Sequence, residues 1–239
     1  MDEIGFHRAF ARPGIILDIG AHDGLLTLPL AALPGSHVHA FEPLPAAFAR
    51  LREAARGKRN ITLHQIALGA ASGTIELEVP SVGGVAQEQW ASMVKDYAAI
   101  RRADPRVDGI DRFDVAQQRL DELGLTGVAA IKLDVEGAEE EVIRGGQDTI
   151  RACRPVMTVE IEERHRIGST IAVPALLAEL GLCGFFEVAG AWHDVENFDA
   201  GTLQRASPSP ANFEASDPYV FIFYFVPPAL RPALLALHP

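Results

Sequence analysis

The chain has 239 residues, 48% of them hydrophobic and 22% charged, enough apolar material for the core of a single α/β domain spanning 1–239 with insertions. Its formal net charge is −11, and its cations come no denser than pairs such as Arg101-Arg102, which argues against a nucleic-acid partner because that affinity rests on clustered cations. No apolar stretch reaches the roughly 20 residues of a bilayer span, the N-terminus lacks a basic-then-apolar leader, and the only cysteines are Cys153 and Cys183, so the expectation is a cytoplasmic chain without a membrane partner and with two reduced, buried thiols.

In chain order, Arg12-Pro13-Gly14 launches the run Ile15–Gly24, Ile-Ile-Leu-Asp-Ile-Gly-Ala-His-Asp-Gly, which reads as a buried strand entering a glycine turn. In an open α/β sheet a ligand sits beyond the carboxyl ends of the strands, and glycine lets the backbone turn tightly and approach it. A dinucleotide site wants Gly-x-Gly-x-x-Gly; this turn has Asp18-x-Gly20-x-x-x-Gly24, with Asp23 inside it. Carboxylates there repel a pyrophosphate and suit a ligand with a sulfonium and an ammonium, such as S-adenosylmethionine. Asp18, Gly20, Ala21, His22 and Gly24 are the cofactor candidates at this turn. Glu42, ahead of Pro43 at the end of the next strand, stands about 20 residues on, where an acid accepts both hydroxyls of a ribose. The competing reading is an ordinary strand, turn and helix with a solvated acid, and Glu42 in register weighs against it.

A helix over 23–33 contains Pro29, so it bends or starts late. A second helix covers 45–56, and 60–67 alternates as a strand, after which Gln65 to Leu68, Ala67 included, should border the adenine through backbone. The run 74–79 predicts a hairpin or edge strand. Residues 80–108 break the rhythm: Trp90, Met93, Val94 and Tyr97 fall at i, i+3, i+4 and i+7, an amphipathic helix that would serve as a lid over the cofactor, as core, or as a homodimer contact. A further helix ends over 119–123. Strand 128–134 then runs into Val135-Glu136-Gly137-Ala138-Glu139, whose helix carries Glu139–Glu141 in its first turn, where the dipole favours acids, and sets Glu140 four residues before Arg144. A strand at 156–161, a helix at 172–180, a strand at 185–188, an irregular stretch 190–218 and a strand at 219–226 follow. The tail after Pro227 reads as a surface extension. Alternating strands and helices specify a doubly wound, mostly parallel, Rossmann-like sheet, its last two strands an antiparallel edge pair.

Four stretches together, Leu17–Gly24, Phe41-Glu42-Pro43, Ile131–Glu139 and Arg154-Pro155-Val156, resemble the FkbM-type S-adenosylmethionine-dependent methyltransferases. The Ile-Lys-x-Asp-x-Glu-Gly-Ala-Glu run followed by Arg144-Gly145 is the specific part. The resemblance implies a class I methyltransferase fold with a seven-stranded sheet, S-adenosylmethionine as cofactor, and O-methylation of a hydroxyl on a small molecule, a sugar or secondary metabolite. The chain departs from the family in carrying His22 where members have asparagine, and in a short N-terminal segment, which would leave 80–108 to close the acceptor site.

Methyl transfer to oxygen needs alignment, desolvation and a base for the hydroxyl proton. Asp134 and Glu136, at the end of the fourth strand, are the first catalytic candidates, with Glu160 or His165 next. Asp134 is also placed to hold the methionine end of the cofactor, Glu136 to cap the following helix, and His165 to be an exposed surface histidine. The acids Asp134, Glu136, Glu160 and Glu162 have metal-ligating chemistry, but no spacing demands an ion and none is expected. A nicotinamide-dependent oxidoreductase is disfavoured by the absent Gly-x-Gly-x-x-Gly and Tyr-x-x-x-Lys; a non-catalytic S-adenosylmethionine-binding scaffold is the other alternative.

Overall fold

The computed structural model describes residues 1–95, 97–204 and 219–237. Its strands are β1 (Gly14–Ile19), β2 (Ser36–Phe41), β3 (Ile61–His64), β4 (Ala67–Leu68), β5 (Gly73–Val82), β6 (Val85–Ala86), β7 (Val107–Gln118), β8 (Val128–Leu133), β9 (Val156–Glu160), β10 (Cys183–Val188), β11 (Ala191–Asp194) and β12 (Ile222–Val226). The helices are α1 (Glu3–Phe10), α2 (Thr27–Ala31), α3 (Pro45–Ala54), α4 (Tyr97–Ala103), α5 (Glu139–Gly145), α6 (Gln147–Cys153), α7 (Ser169–Glu179), α8 (Ala200–Leu203) and α9 (Arg231–Leu235).

One sheet has the order β11-β10-β12-β9-β8-β1-β2-β3, parallel from β3 through β9, with β12 antiparallel between β9 and β10. The chain leaves β1 toward β2 on one side and returns through β8 on the other, so the strand order reverses between β1 and β8. That switch point is where open α/β sheets form their ligand crevice. Strand β1 is closed on both faces: Ile16 packs with Val38, Ala130 and Phe185 on one side, and Leu17 with Ile131, Met157 and Phe225 on the other. Burial on both faces is why its sequence reads as a continuous apolar run rather than an alternation.

The sheet has eight strands where seven were expected. The extra one, β11, lies in the stretch read as irregular, and joins β10 through Ala189-Gly190, both at positive φ (52° and 82°). Two such residues make the turn that matches strand twist, but the familiar Asn-Gly signature is absent. Pro29 does delay the second helix, which begins at Thr27. The surface tail is also corrected: α9 folds back, and Leu234 is fully buried in a cluster with Phe6 and Phe185. The two cysteines are free and half-buried rather than buried. Among the described residues, no helix is long and apolar enough to cross a membrane.

Among the described residues, 80–108 are helical only over Tyr97–Ala103 and the 3-10 turn Glu88–Trp90. They continue β5 and enter β7, the long antiparallel arms of a second sheet ordered β4-β7-β5-β6. The predicted helix over 90–97 is replaced by a 3-10 turn at Glu88–Trp90 and a bent segment, because Ser92 exchanges backbone hydrogen bonds with Glu78 of β5 (3.1 Å each way) and its hydroxyl accepts the amides of Val94 and Lys95. Helix begins only at Tyr97. The helix expected to end at 119–123 is likewise a single 3-10 turn, Leu120–Leu123, the chain before it being β7. Val115 of β7 packs with Leu77 and Val79 over Leu44 and Ala47, a small core that fixes this sheet above the switch point.

Candidate active site

The site starts from the turn after β1. Gly20 sits at φ 79°, and a Cβ there would stand 1.8 Å from the carbonyl oxygen of Asp134, so the β1 and β8 ends touch as only glycine allows. The amides of Gly20 and Ala21 both donate to the Phe41 carbonyl (3.1 and 2.9 Å), binding the turn to the end of β2. His22 has φ 50°, in the left-handed region where asparagine and histidine are both enriched, so the departure from asparagine preserves the backbone.

A cavity of about 350 Å³ opens on this turn, lined by Gly20, Ala21, His22, Glu42, Pro43, Ala67, Asp134 and Glu136 among the expected residues, and by Leu44, Ile66, Leu68, Glu88, Met93 and Lys132. Glu42 is 5% exposed and accepts the amides of His22 (2.9 Å) and Leu44 (2.8 Å). Burial raises its carboxyl to about 7, although those amides pull the other way.

Three cofactor candidates stand off the cavity. Asp18 is sealed beneath the turn, accepting from the Thr27 hydroxyl (2.5 Å) and facing the Lys132 ammonium at 3.7 Å. Gly24 packs against Leu51 of α3. Gln65 turns outward in the link between β3 and β4, leaving Ile66 and Ala67 on the wall.

Lys132 was quoted in the sequence motif without a role. Its ammonium donates to the Gly20 carbonyl (2.7 Å) and lies 3.4 Å from Asp134. Burial opposes that charge most, yet Asp134 and Asp18 outweigh it and keep the lysine protonated. A lysine in an otherwise apolar buried strand must be paired, and that was the available signal.

Beyond Asp134 the chain turns through Glu136 at φ 57°, a position shaped by Glu139, whose carboxylate accepts the amides of Val135 (3.2 Å) and Gly137 (3.0 Å). Glu139 is thus a buried turn-holder, whereas Glu140 pairs with Arg144 (2.7 Å) along the helix as expected. Glu136 contacts the ammonium of Lys95, and burial raises its carboxyl to about 7. His165 is buried, not exposed: its Nε2 lies 3.1 Å from Glu136 and 3.3 Å from Glu162, while burial and then Lys95 lower it to about 3, leaving the ring neutral. Arg164 clasps Glu162 through two hydrogen bonds (2.6 and 2.7 Å), and the Tyr219 hydroxyl donates to the same carboxylate. Burial and the neighbouring carboxylates raise Glu160 far above the usual range.

A second cavity of about 660 Å³ is lined by Trp90, Lys95, Tyr97, Ile100, Arg106, Arg164 and His165 among others, of which Lys95 and His165 contact Glu136 of the first. The segment 88–95 is the partition. Glu88, Gln89, Ala91 and Met93 face the first cavity, while Trp90 and Lys95 face the second. Along the aromatic stripe Tyr97 is 2% exposed, Trp90 and Met93 are half-buried and Val94 is exposed.

Comparison with known proteins decides the family. The model of the methyltransferase FkbM domain matches residues 18–186. The chain belongs to this family. Among curated relatives it is 31% identical over 158 residues to the 2-O-methyltransferase NoeI of Sinorhizobium fredii, an alignment covering 60% of this chain and 62% of that one. It is 27% identical over 197 residues to the methyltransferase sdnD of Sordaria araneosa, covering 70% and 72%. The crystal structure of methyltransferase FkbM from Methylobacillus flagellatus superposes with a TM-score of 0.54 at 13% identity, over 93% of this chain and 50% of that one, a likeness of fold. The matched range contains the glycine turn, Glu42, the Asp134–Glu139 turn and the partition, so the family match spans the part of the chain that lines the first cavity.

Proposed function

We propose that this chain is an S-adenosylmethionine-dependent O-methyltransferase acting on a hydroxyl of a small molecule. The observation that carries the reading is the first cavity: a glycine-built turn, a buried acid at the end of β2, and Asp134 and Glu136 from the turn after β8. The name of the relative NoeI, a 2-O-methyltransferase, supports oxygen as the acceptor atom.

The residues fit the cofactor. Glu42 has lone pairs left for the ribose hydroxyls, Ile66, Ala67 and Leu68 offer an apolar wall to the adenine, and Asp134 faces the region for the ammonium and sulfonium. When bound, S-adenosylmethionine supplies an electrophilic methyl group whose sulfur departs as a neutral thioether. The chain's own tasks are to align the acceptor oxygen, exclude water and take a proton. The second cavity is the acceptor site, with Trp90 and Tyr97 as its apolar wall. Its cations are matched by carboxylates, Lys95 by Glu136 and Arg164 by Glu162, which suits a neutral hydroxyl-bearing acceptor better than an anionic one. Glu136 takes the hydroxyl proton as the new carbon–oxygen bond forms and the carbon–sulfur bond breaks, its pKa near 7 matching the task.

Calorimetric titration with S-adenosylhomocysteine, beside NAD, tests the cofactor. Micromolar binding of the former, weakened at least tenfold in Glu42→Ala, and none of NAD is expected. Failure of the unaltered chain to bind S-adenosylhomocysteine would end the reading. Binding without methyl transfer to any of a panel of hydroxylated acceptors would favour the scaffold alternative.

A further inference from the structure

We propose that Glu136, Glu160 and His165 form a site for one divalent transition-metal ion at the wall between the two cavities. The three side chains come from the β8–α5 turn, the end of β9 and the loop before α7. One carboxylate oxygen from each glutamate and a ring nitrogen of His165 lie within 4.8 Å of one another. Bonds of about 2.0–2.2 Å to nitrogen and oxygen put neighbouring ligands roughly 3.0–3.6 Å apart and an opposite pair roughly 4.4 Å apart, so the group would close on an ion by side-chain movements of about an ångström.

Two further observations point to an occupant. The His165 side chain is 5% exposed, and its Nε2 is aimed among carboxylates, 3.1 Å from Glu136 and 3.3 Å from Glu162. Each neighbouring carboxylate has its own cation: Lys95 for Glu136, Arg164 for Glu162, Lys132 for Asp134. Glu160 has no ion-pair partner among the described residues. His165 and Glu160, whose carboxyl is hydrogen-bonded to Glu162 and has no cation of its own among the described residues, together with Glu136 make a buried nitrogen-and-oxygen donor set whose carboxylates a positive ion would balance in place of a shared proton. One nitrogen and two carboxylates suit Mn²⁺, Fe²⁺ or Zn²⁺ better than Mg²⁺ or Ca²⁺, which take oxygen alone.

The binding of the ion stands apart from the methyltransferase reading; its role rests on that reading. An acceptor hydroxyl entering from the second cavity would meet the ion, which makes the O–H proton easier to lose. Glu136 would then be engaged by the ion and Lys95, and the proton would pass to Asp134, the cavity-facing carboxylate outside the ligand set.

Mn²⁺ titration followed by loss of the free-ion paramagnetic resonance signal tests the site. The expected result is one Mn²⁺ per chain, bound at least tenfold more weakly in Glu160→Gln and in His165→Gln and unchanged in Glu53→Gln, which alters an exposed acid remote from the cluster. Retained S-adenosylhomocysteine binding reports that the variants are folded. On the unaltered chain, sub-stoichiometric Mn²⁺ should broaden the His165 ring resonance, a readout independent of any variant. No saturable binding, binding indifferent to both substitutions, or broadening confined to exposed histidines such as His193 would overturn the proposal and leave a proton shared between Glu160 and Glu162 in the gap. Mn²⁺ bound by a chain that ignores S-adenosylhomocysteine would uphold the ion site and remove the methyltransferase reading instead.

Discussion

At the scale of single residues, Glu42 is the position from which the proposed cofactor site acquires a pH dependence. Its carboxyl is raised to about 7 by burial, against an unfolded value near 4.3. A group raised in the folded state contributes stability that is full below the unfolded pKa and lost as pH rises through the folded one. The ligand-free chain should therefore lose stability between about pH 4.5 and 7, and Glu42→Gln should flatten that slope in thermal melts across the window. Affinity for S-adenosylhomocysteine should move the other way, strengthening as pH rises through 7 and the carboxylate forms, with the glutamine variant weaker and nearly flat. Asp18, which looked equivalent in the sequence, has no such role. The same glycine turn that exposes Ala21 and His22 to the cavity seals Asp18 below it, against Thr27 and Lys132. Sequence spacing gave the turn and the acids but not which acid faces the ligand, because that depends on side-chain direction at the strand end.

At the scale of elements, the 3-10 turn Glu88–Trp90 decides how the first cavity is closed. Glu88 pairs with Arg50 of α3, and His22 lies 3.4 Å from the same guanidinium, so the inserted sheet is clasped to the glycine turn across the cavity mouth. Arg50 is 47% exposed, and exposed pairs contribute only about 0–1 kcal/mol, so Arg50→Ala should change the melting temperature by less than about 4 °C. It should nevertheless speed S-adenosylhomocysteine dissociation several-fold in stopped-flow displacement, and high salt should do the same to the unaltered chain. An unchanged off-rate would show that the clasp does not gate the cavity. The helical periodicity of Trp90, Met93 and Tyr97 misled here for a definable reason: a bridge between Glu78 and Ser92, fourteen positions apart, overrode the local pattern.

At the scale of the molecule, the chain ends brace the sheet that carries the site. Leu234 of the tail is fully buried with Phe6 of α1, against Phe185 and Val226 of the sheet. Leu234→Ala should cost about 2–5 kcal/mol in urea unfolding, as a core leucine does, where a surface tail would give almost nothing. The tail's prolines, Pro227, Pro228 and Pro232, concealed this. They sit in a 3-10 turn and at the start of a helix, positions where a missing amide donor is tolerated.

The parallel frame, the glycine turn, Glu42, the Asp134–Glu139 turn and the family were all legible in the sequence, because each depends on residues close in the chain: an apolar run with no polar face, a glycine where a Cβ cannot fit, an acid one strand length away. What the tertiary structure alone decided is the material brought from a distance. The second sheet, the placing of Lys95 and Trp90 on either side of one wall, and the convergence of Glu136, Glu160 and His165 arise from non-local strand pairing and burial, which leave no local period to read.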